Sequence, residues 1–294
     1  MKSRWLLNLV LLVVVAGLAL FVYLRPKTEA SVSQQSYQVS AMDIEKVTKV
    51  SIEVPAKKPV VFERQQGQWM MLQPFQGRAN PVEIGSIIAV AIASSSEKLP
   101  ADDPAKFGLD HPQLTVHLND EAFSFGMYNP VGGEQFVAHG NAIYTIPNSY
   151  SQNATIQPLE LLDKHPLARD ETIVGFDFSA LEQWQSSHLN LDLQPDNTWK
   201  VSAASAKPNQ NDLKDWFEGW QWEHFQATSV EPAQPDHSPH PFLIVKLKNG
   251  KKLKFIKLQE SPELLLVRED EQMEYHFPQD FGFTALNPPA GFKP

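Results

Sequence analysis

Cysteine is absent from the 294 residues, which excludes disulfide scaffolds, thiolate catalysis, Cys-ligated zinc, iron–sulfur clusters and attachment through a Cys-linked lipid. Positive charge is in short supply: 25 Lys and Arg stand against 34 Asp and Glu, a formal charge of -9. A phosphate backbone is therefore a poor match for the chain as a whole, and no nucleic-acid partner is expected. The arrangements that carry common chemistry are missing too. No two of the nine His flank a Glu at helical i, i+4 spacing. There is no Gly-x-Ser-x-Gly elbow and no Ser-x-x-Lys in a strand-to-helix setting, and Gly132-Gly133 lacks the Lys-Ser/Thr of a phosphate cradle. Ser94 to Ser96 read as a helix end. Glu269-Asp270 and Asp102-Asp103 read as surface turns, since neighbours on a strand point to opposite faces. No catalytic, cofactor-binding or metal residue is assigned on this reading, and the chain is expected not to be an enzyme. The nearest metal-like group, Asp236-His237-Ser238-Pro239-His240, lies between Pro235 and Pro239 and reads as a solvated loop.

One long hydrophobic run is present. Trp5 to Leu24 carries no charge, and as a helix it extends about 30 Å, the thickness of a bilayer's hydrocarbon core. Trp5 and Tyr23 mark its ends, with Lys2, Arg4, Arg25 and Lys27 outside them. The run is too long for a signal-peptide core, and its small residues (Ala16, Gly17, Ala19) lie inside it, so it reads as an uncleaved anchor. A short N-terminal tail before a large acidic body fits a signal-anchor with the body outside the cytoplasm. Beyond residue 30 the balance is 21 basic against 33 acidic residues, so the membrane is met through this helix and not through a basic face. Residues 1–27 are thus expected to form the anchor and 28–41, rich in Ser, Gln, Ala and Thr, a flexible tether.

From Ile44 onward the periodicity is that of an α+β body. Val47, Val50, Ile52 and Val54 open a strand, and Val60 to Glu63 and Trp69 to Leu72 flank a turn at Gly67. Asn80-Pro81-Val82-Glu83 supplies an N-cap, a first-position Pro and an early carboxylate, so a helix is expected from Pro81 to about Ala93. Leu114, Val116 and Leu118 alternate with polar residues as in a half-buried strand, and Gly140-Asn141 turns a further hairpin.

The second half repeats this order. Trp69 is answered by Trp199, 130 residues on; His111-Pro112 to Leu118 by His240-Pro241 to Leu247, at 129; and Tyr144 to Pro147 by Tyr275 to Pro278, at 131. A helix expected from Asn211 to His224 fills the slot of the Pro81 helix. The fold class is therefore α+β: a transmembrane helix followed by two tandem repeats of mostly antiparallel strands, each with one main helix. The first repeat takes residues 42–165 and the second 166–294, with the junction near His165-Pro166.

Gly67-x-Trp69 to Pro74, Phe107-Gly108-Leu109-Asp110-x-Pro112 and Phe125-Gly126-x-x-Asn129-Pro130, set behind an N-terminal apolar helix, resemble the domain of unknown function 4340 family. The resemblance covers residues 44–165 well and the second repeat more loosely, where the Phe-Gly-Leu and Asn-Pro elements are missing. It implies bacterial proteins anchored in the inner membrane, some beside transporter components, and brings no catalytic residue with it.

Three side chains stand out as possible partner contacts. Leu213, Trp216, Phe217, Trp220 and His224 form one helical stripe, and Trp222 falls out of phase with it. It either packs under a loop or anchors a partner protein. Six Lys lie between Lys246 and Lys257; Lys252 and Lys254 alternate with Leu253 and Phe255, which suits the wet face of a hairpin or a local patch for acidic partners or anionic lipid. The expected function is a non-catalytic, single-pass, membrane-anchored extracytoplasmic accessory or scaffold protein, working with a transporter or envelope-assembly complex. A small-molecule or glycan site in an inter-module cleft is the first alternative and an envelope hydrolase the second.

Overall fold

The computed structural model describes Val15 and residues 36–130, 132–203 and 206–291. The anchor expected over Trp5 to Leu24 lies outside the described residues apart from Val15. Among the described residues no helix is long and apolar enough to cross a membrane. The strands and helices from Tyr37 onward belong to one compact unit.

In chain order the first half forms β1 (Tyr37–Gln38), β2 (Lys49–Glu53), β3 (Val60–Gln65), β4 (Gln68–Gln73), β5 (Gly77–Arg78), α1 (Pro81–Ile88), β6 (Ser94–Ser95), β7 (Lys98–Pro100), β8 (Leu114–Leu118), β9 (Glu121–Asn129), β10 (Glu134–His139), β11 (Ala142–Pro147) and α2 (Ser149–Ala154). The second half forms β12 (Ile173–Asp177), β13 (Asn190–Leu193), β14 (Trp199–Val201), α3 (Gln210–Glu218), β15 (Ser229–Pro232), β16 (Phe242–Leu247), β17 (Lys252–Gln259), β18 (Glu263–Arg268), β19 (Met273–Gln279) and α4 (Phe281–Ala285). Within the stretch read as a tether, β1 already pairs with β6, and Val39 is buried.

The strands build a nine-stranded sheet, β5-β4-β3-β2-β8-β9-β10-β11-β7, and an eight-stranded one, β14-β13-β12-β16-β17-β18-β19-β15. Every pairing described is antiparallel, and the fold is α+β. With β5 set aside, both sheets follow one path. Three strands meander outward, a helix crosses, the next strand lands on the far edge, and a four-strand meander fills the gap.

Local chemistry accounts for the turns. Gln66 and Gly67 both adopt positive φ (51° and 87°) between β3 and β4, as a two-residue primed turn requires. Asn80 caps α1 by accepting from the Val82 N–H, and Ala89–Ile92 continue α1 as a 3-10 turn toward the expected end at Ala93. α3 stops at Glu218, six residues short of His224. Gly219, Trp220 and Gln221 donate to the carbonyls of Trp216, Phe217 and Glu218, so the last turn tightens to i→i-3. Trp222 therefore sits in a turn and has no helical phase.

The Phe107-Gly108-Leu109 and Phe125-Gly126 elements form one packing knot. Gly108 (φ 65°) ends the 3-10 turn Pro104–Phe107 in the left-handed region. Gly126, in β9, lets the Phe107 carbonyl and the Leu109 side chain press onto the strand where a Cβ would stand. Buried Gln135 closes the knot by donating to the Gly126 carbonyl at 2.9 Å.

A continuous hydrophobic cluster draws residues from both sheets. In β8, Leu114, Val116 and Leu118 are buried and Thr115 and His117 half-buried, the alternation read from the sequence. On the second sheet, Trp216 and Trp220 pack edge-on against Phe176, and both indole N–H groups donate to the Ala285 carbonyl at 3.2 Å. These bonds tie α4 to the core and satisfy polar groups that burial would otherwise leave costly.

Candidate recognition cleft between the sheets

The segment joining the sheets, Leu161 to Glu171, lies along the edge of the first. Asn80 N donates to Leu161 O and Asp163 N to Arg78 O, both at 2.8 Å, so the strap adds a partial strand beside β5. On its other side Ala227 N donates to Lys164 O at 2.8 Å. A Cβ on Gly77 would stand 3.0 Å from Leu162 and 3.4 Å from Met273, so the missing side chain lets β5 approach the second sheet.

Two arginines are buried where these segments meet. Arg78, 8% exposed, donates from Nε to Glu271 Oε1 at 2.8 Å and from Nη1 to Asp163 Oδ2 at 3.0 Å. Its remaining N–H groups reach the carbonyls of Leu167 and His165 and the Tyr275 hydroxyl. Arg268, 2% exposed, grips both oxygens of Glu171 at 2.7 Å, the Pro166 carbonyl at 2.7 Å and Asp270 at 2.9 Å. The planar five-donor fork suits this use, because a buried cation is tolerated only when every donor is met.

The titration behaviour follows. Burial by itself would lower both guanidinium pKa values. Around Arg78, Tyr275, Glu271 and Asp163 outweigh it, and around Arg268, Glu171, Asp270 and Glu271 do; each stays above its ordinary value. Burial pushes the Tyr275 hydroxyl up, so it is neutral at physiological pH and the carboxylates carry the effect on Arg78. Burial raises Glu171 and Asp270, but the bonds from Arg268 prevail and hold both below the usual carboxylate range, Asp270 at about 2. All these shifts move away from neutrality, opposite to what a general acid or base needs.

A cavity of ≈ 350 Å³ opens beside this network, lined by Trp69, Arg64 and Arg78 from the first sheet, Asp163 and Arg169 from the strap, and Trp222. His165 is fixed by Asp163, which accepts from its backbone N–H at 3.1 Å and stands 2.7 Å from its ring Nδ1. Its imidazole stacks on the Trp222 indole at 4.1 Å between ring centres and 16° between planes, and the Arg169 guanidinium carbon lies 4.9 Å from the same ring. Trp222 Nε1 is shielded from solvent and has no hydrogen-bond partner among the described residues. A second, more polar cavity of ≈ 430 Å³ adjoins through Gln68 and Arg78 and is lined by Glu171, Lys251, Arg268 and Glu271.

Of the three residues singled out in the sequence, only Trp222 lies here, half-buried in the cleft wall. Lys252 is exposed at the start of β17 opposite Lys246. Lys254 stands 2.7 Å from Glu269 Oε1 and 4.7 Å from the Phe242 ring centre, in a different groove under the 233–240 loop. The lysine run is largely neutralised: Lys246 pairs with Asp192, Lys251 with Asp270, and Lys257, 8% exposed, with Glu182 and Glu260. Lys257 shares the inward face of β17 with Leu253 and Phe255, opposite to Lys252 and Lys254, and so points onto those two carboxylates. In the Pro-flanked loop Asp236 Oδ2 lies 2.7 Å from His240 Nε2, and the backbone of Ser238, then His240, draws that carboxyl below its ordinary range. Arg78, Asp163, Arg169 and Glu271 carry no signal in sequence, because their partners lie up to 193 residues away.

No curated protein and no solved structure matches the chain. The family match to the domain of unknown function DUF4340 covers residues 88–229, later than the span 44–165 suggested by the motifs. It takes in Phe107-Gly108-Leu109, Phe125-Gly126 and the whole strap. Residues 88–229 are thus similar to the domain of unknown function DUF4340, the family that the motifs resemble.

Proposed function

We propose that this is a non-catalytic accessory protein of the bacterial envelope, held in the inner membrane by Trp5 to Leu24, with its body outside the cytoplasm. Its body consists of two copies of one module, and the cleft between them receives the partner. The shared strand path of the two sheets supports the duplication, and the uncharged apolar run supports the anchor.

The observation that carries the binding reading is the Trp222 platform. Its ring is stacked by His165 on one neighbour and approached by Arg169 on another, beside Trp69 and a buried charge network that holds the walls. Trp and Arg with their geometry fixed in advance lose little entropy on binding and are the residues most enriched at binding hot spots. The cavity volume, ≈ 350 Å³, also admits a small molecule or glycan fragment, which is the second reading.

The test places a photo-crosslinking amino acid at Trp222 in the full chain in native membranes, with Tyr128, 48% exposed on the first sheet, as the control position. A discrete envelope-protein adduct from position 222 and none from 128 is the expected result. A small-molecule adduct on native mass spectrometry selects the second reading. A chain that remains in the soluble fraction overturns the anchor, and no adduct from 222 removes the cleft as the contact.

A further inference from the structure

Away from the cleft, on the edge of the second sheet, three side chains converge that no part of the proposed function uses. Glu231 stands in β15 directly opposite Glu274 in β19, and His276 follows Glu274 by two residues in the same strand. Alternation places Glu274 and His276 on one face of β19, away from Tyr275 and Phe277, which are buried in the core. Strand pairing brings Glu231 to the same face. One donor atom from each of the three lies within 4.8 Å of the other two.

The local polar contacts are not those of a finished ion-pair network. Glu274 is 9% exposed, and neither it nor Glu231 is paired with Lys or Arg among the described residues. Among the described residues their ion-pair partner is His276, whose Nε2 stands 3.0 Å from Glu274 Oε1 and 3.6 Å from Glu231 Oε1. That nitrogen is sealed from solvent and has no hydrogen-bond partner among the described residues: at these distances its geometry toward both carboxylates is off-line. A nearly buried carboxylate and an orphaned ring nitrogen pointing into the same space are costly unless something between them accepts both.

We propose that Glu231, Glu274 and His276 bind a divalent transition-metal ion, Zn²⁺ or a chemically similar ion such as Co²⁺. Oxygen and nitrogen donors about 2.0–2.2 Å from a common ion stand roughly 3.0–3.5 Å from one another in tetrahedral or octahedral geometry, and the two separations to His276 Nε2 bracket that range. Two carboxylates and an imidazole suit zinc-like ions over calcium, which prefers oxygen alone, and over Cu(I), which prefers thiolate or thioether. Three protein ligands leave a position for water or an exogenous group. Glu274 also lines the ≈ 660 Å³ groove under the 233–240 loop, so that position is reachable from the groove.

The test uses the full chain in detergent micelles, stripped of metal, with Zn²⁺ binding followed by calorimetry and Co²⁺ binding by its visible absorption. One equivalent is expected to bind. Glu231→Gln changes a half-exposed side chain with no change of volume, so it leaves the fold intact, and it and His276→Ala should each weaken binding on the order of a hundredfold, at least as much as loss of an outer-shell partner does. His240→Ala, in the Asp236–His240 pair of the loop, should leave affinity unchanged. No saturable binding overturns the proposal. So does binding that survives Glu231→Gln and His276→Ala, or that is lost with His240→Ala alone, which would assign the ion to the loop.

Discussion

Replacing Arg78 by Met tests the charge network at the junction most directly. The change keeps an unbranched side chain of similar length but removes every donor, leaving Asp163 and Glu271, 15% and 19% exposed, without their shared cation. Breaking a buried ion pair from one side costs about 3–5 kcal/mol. Both acids retain a second contact, Asp163 with His165 at 2.7 Å and Glu271 with Arg268 at 3.3 Å, which places the expected loss near the lower bound, about 3 kcal/mol. For a body of this size the urea slope lies near the top of the usual range, about 3 kcal/mol per M, so the midpoint should fall by about 1 M. Arg78→Lys retains the charge but not the fork and should fall between. The triple variant Arg78→Met, Asp163→Asn, Glu271→Gln removes the stranded charges and should regain part of the loss. Equilibrium unfolding in urea, followed by far-UV circular dichroism, measures all three. A midpoint shift for Arg78→Met corresponding to less than about 0.5 kcal/mol, the size of an ordinary surface substitution, would refute the reasoning.

Other consequences are equally open to measurement. The folded pKa values of Glu171 and Asp270 are depressed, so their contribution is complete above the ordinary carboxylate range and is lost as pH falls through it toward about 2. The native chain should lose stability over that interval, and Arg268→Met, already lacking the interaction, should lose less. Gly126→Ala forces a Cβ into the Phe107 carbonyl and should cost about 1–3 kcal/mol in thermal or chemical unfolding; an unchanged Tm would show that β9 yields freely. Trp220→Ala empties a fully buried site and leaves the Ala285 carbonyl with Trp216 as its remaining indole donor, for which a loss of about 3–5 kcal/mol is expected, with earlier hydrogen exchange in α4 as its local signature.

Local regularities in the sequence carry much of the secondary structure because they depend only on neighbours along the chain. The turn at Gly67 needs positive φ, the cap at Asn80 needs a short side-chain acceptor, and the alternation in Leu114–Leu118 needs only a two-faced strand. The offset of about 130 residues between Trp69 and Trp199 likewise reflects chain order, and with β5 set aside the strands bearing them, β4 and β14, occupy equivalent ends of the two sheets. The end of α3 was less legible: the aromatic stripe continues past Glu218, but the chain tightens there as Trp220 turns into the core.

Which distant charges and rings meet is set by the folded arrangement alone. Strand parity puts Lys257 on the face of Leu253 and Phe255 and Lys252 on the other, but only the folded chain brings Glu182, 75 residues away, to meet the buried ammonium. Trp222 becomes a cleft wall only because the strap delivers His165 and Arg169 to its ring. Arg78 and Glu271 stand 193 residues apart, and Glu231 and His276 meet only through the pairing of an edge strand with the last strand of the meander. Apolar periodicity is a one-dimensional signal set by the geometry of each element. Electrostatic pairing follows separation in space, on which sequence distance places almost no bound once the chain has folded back on itself.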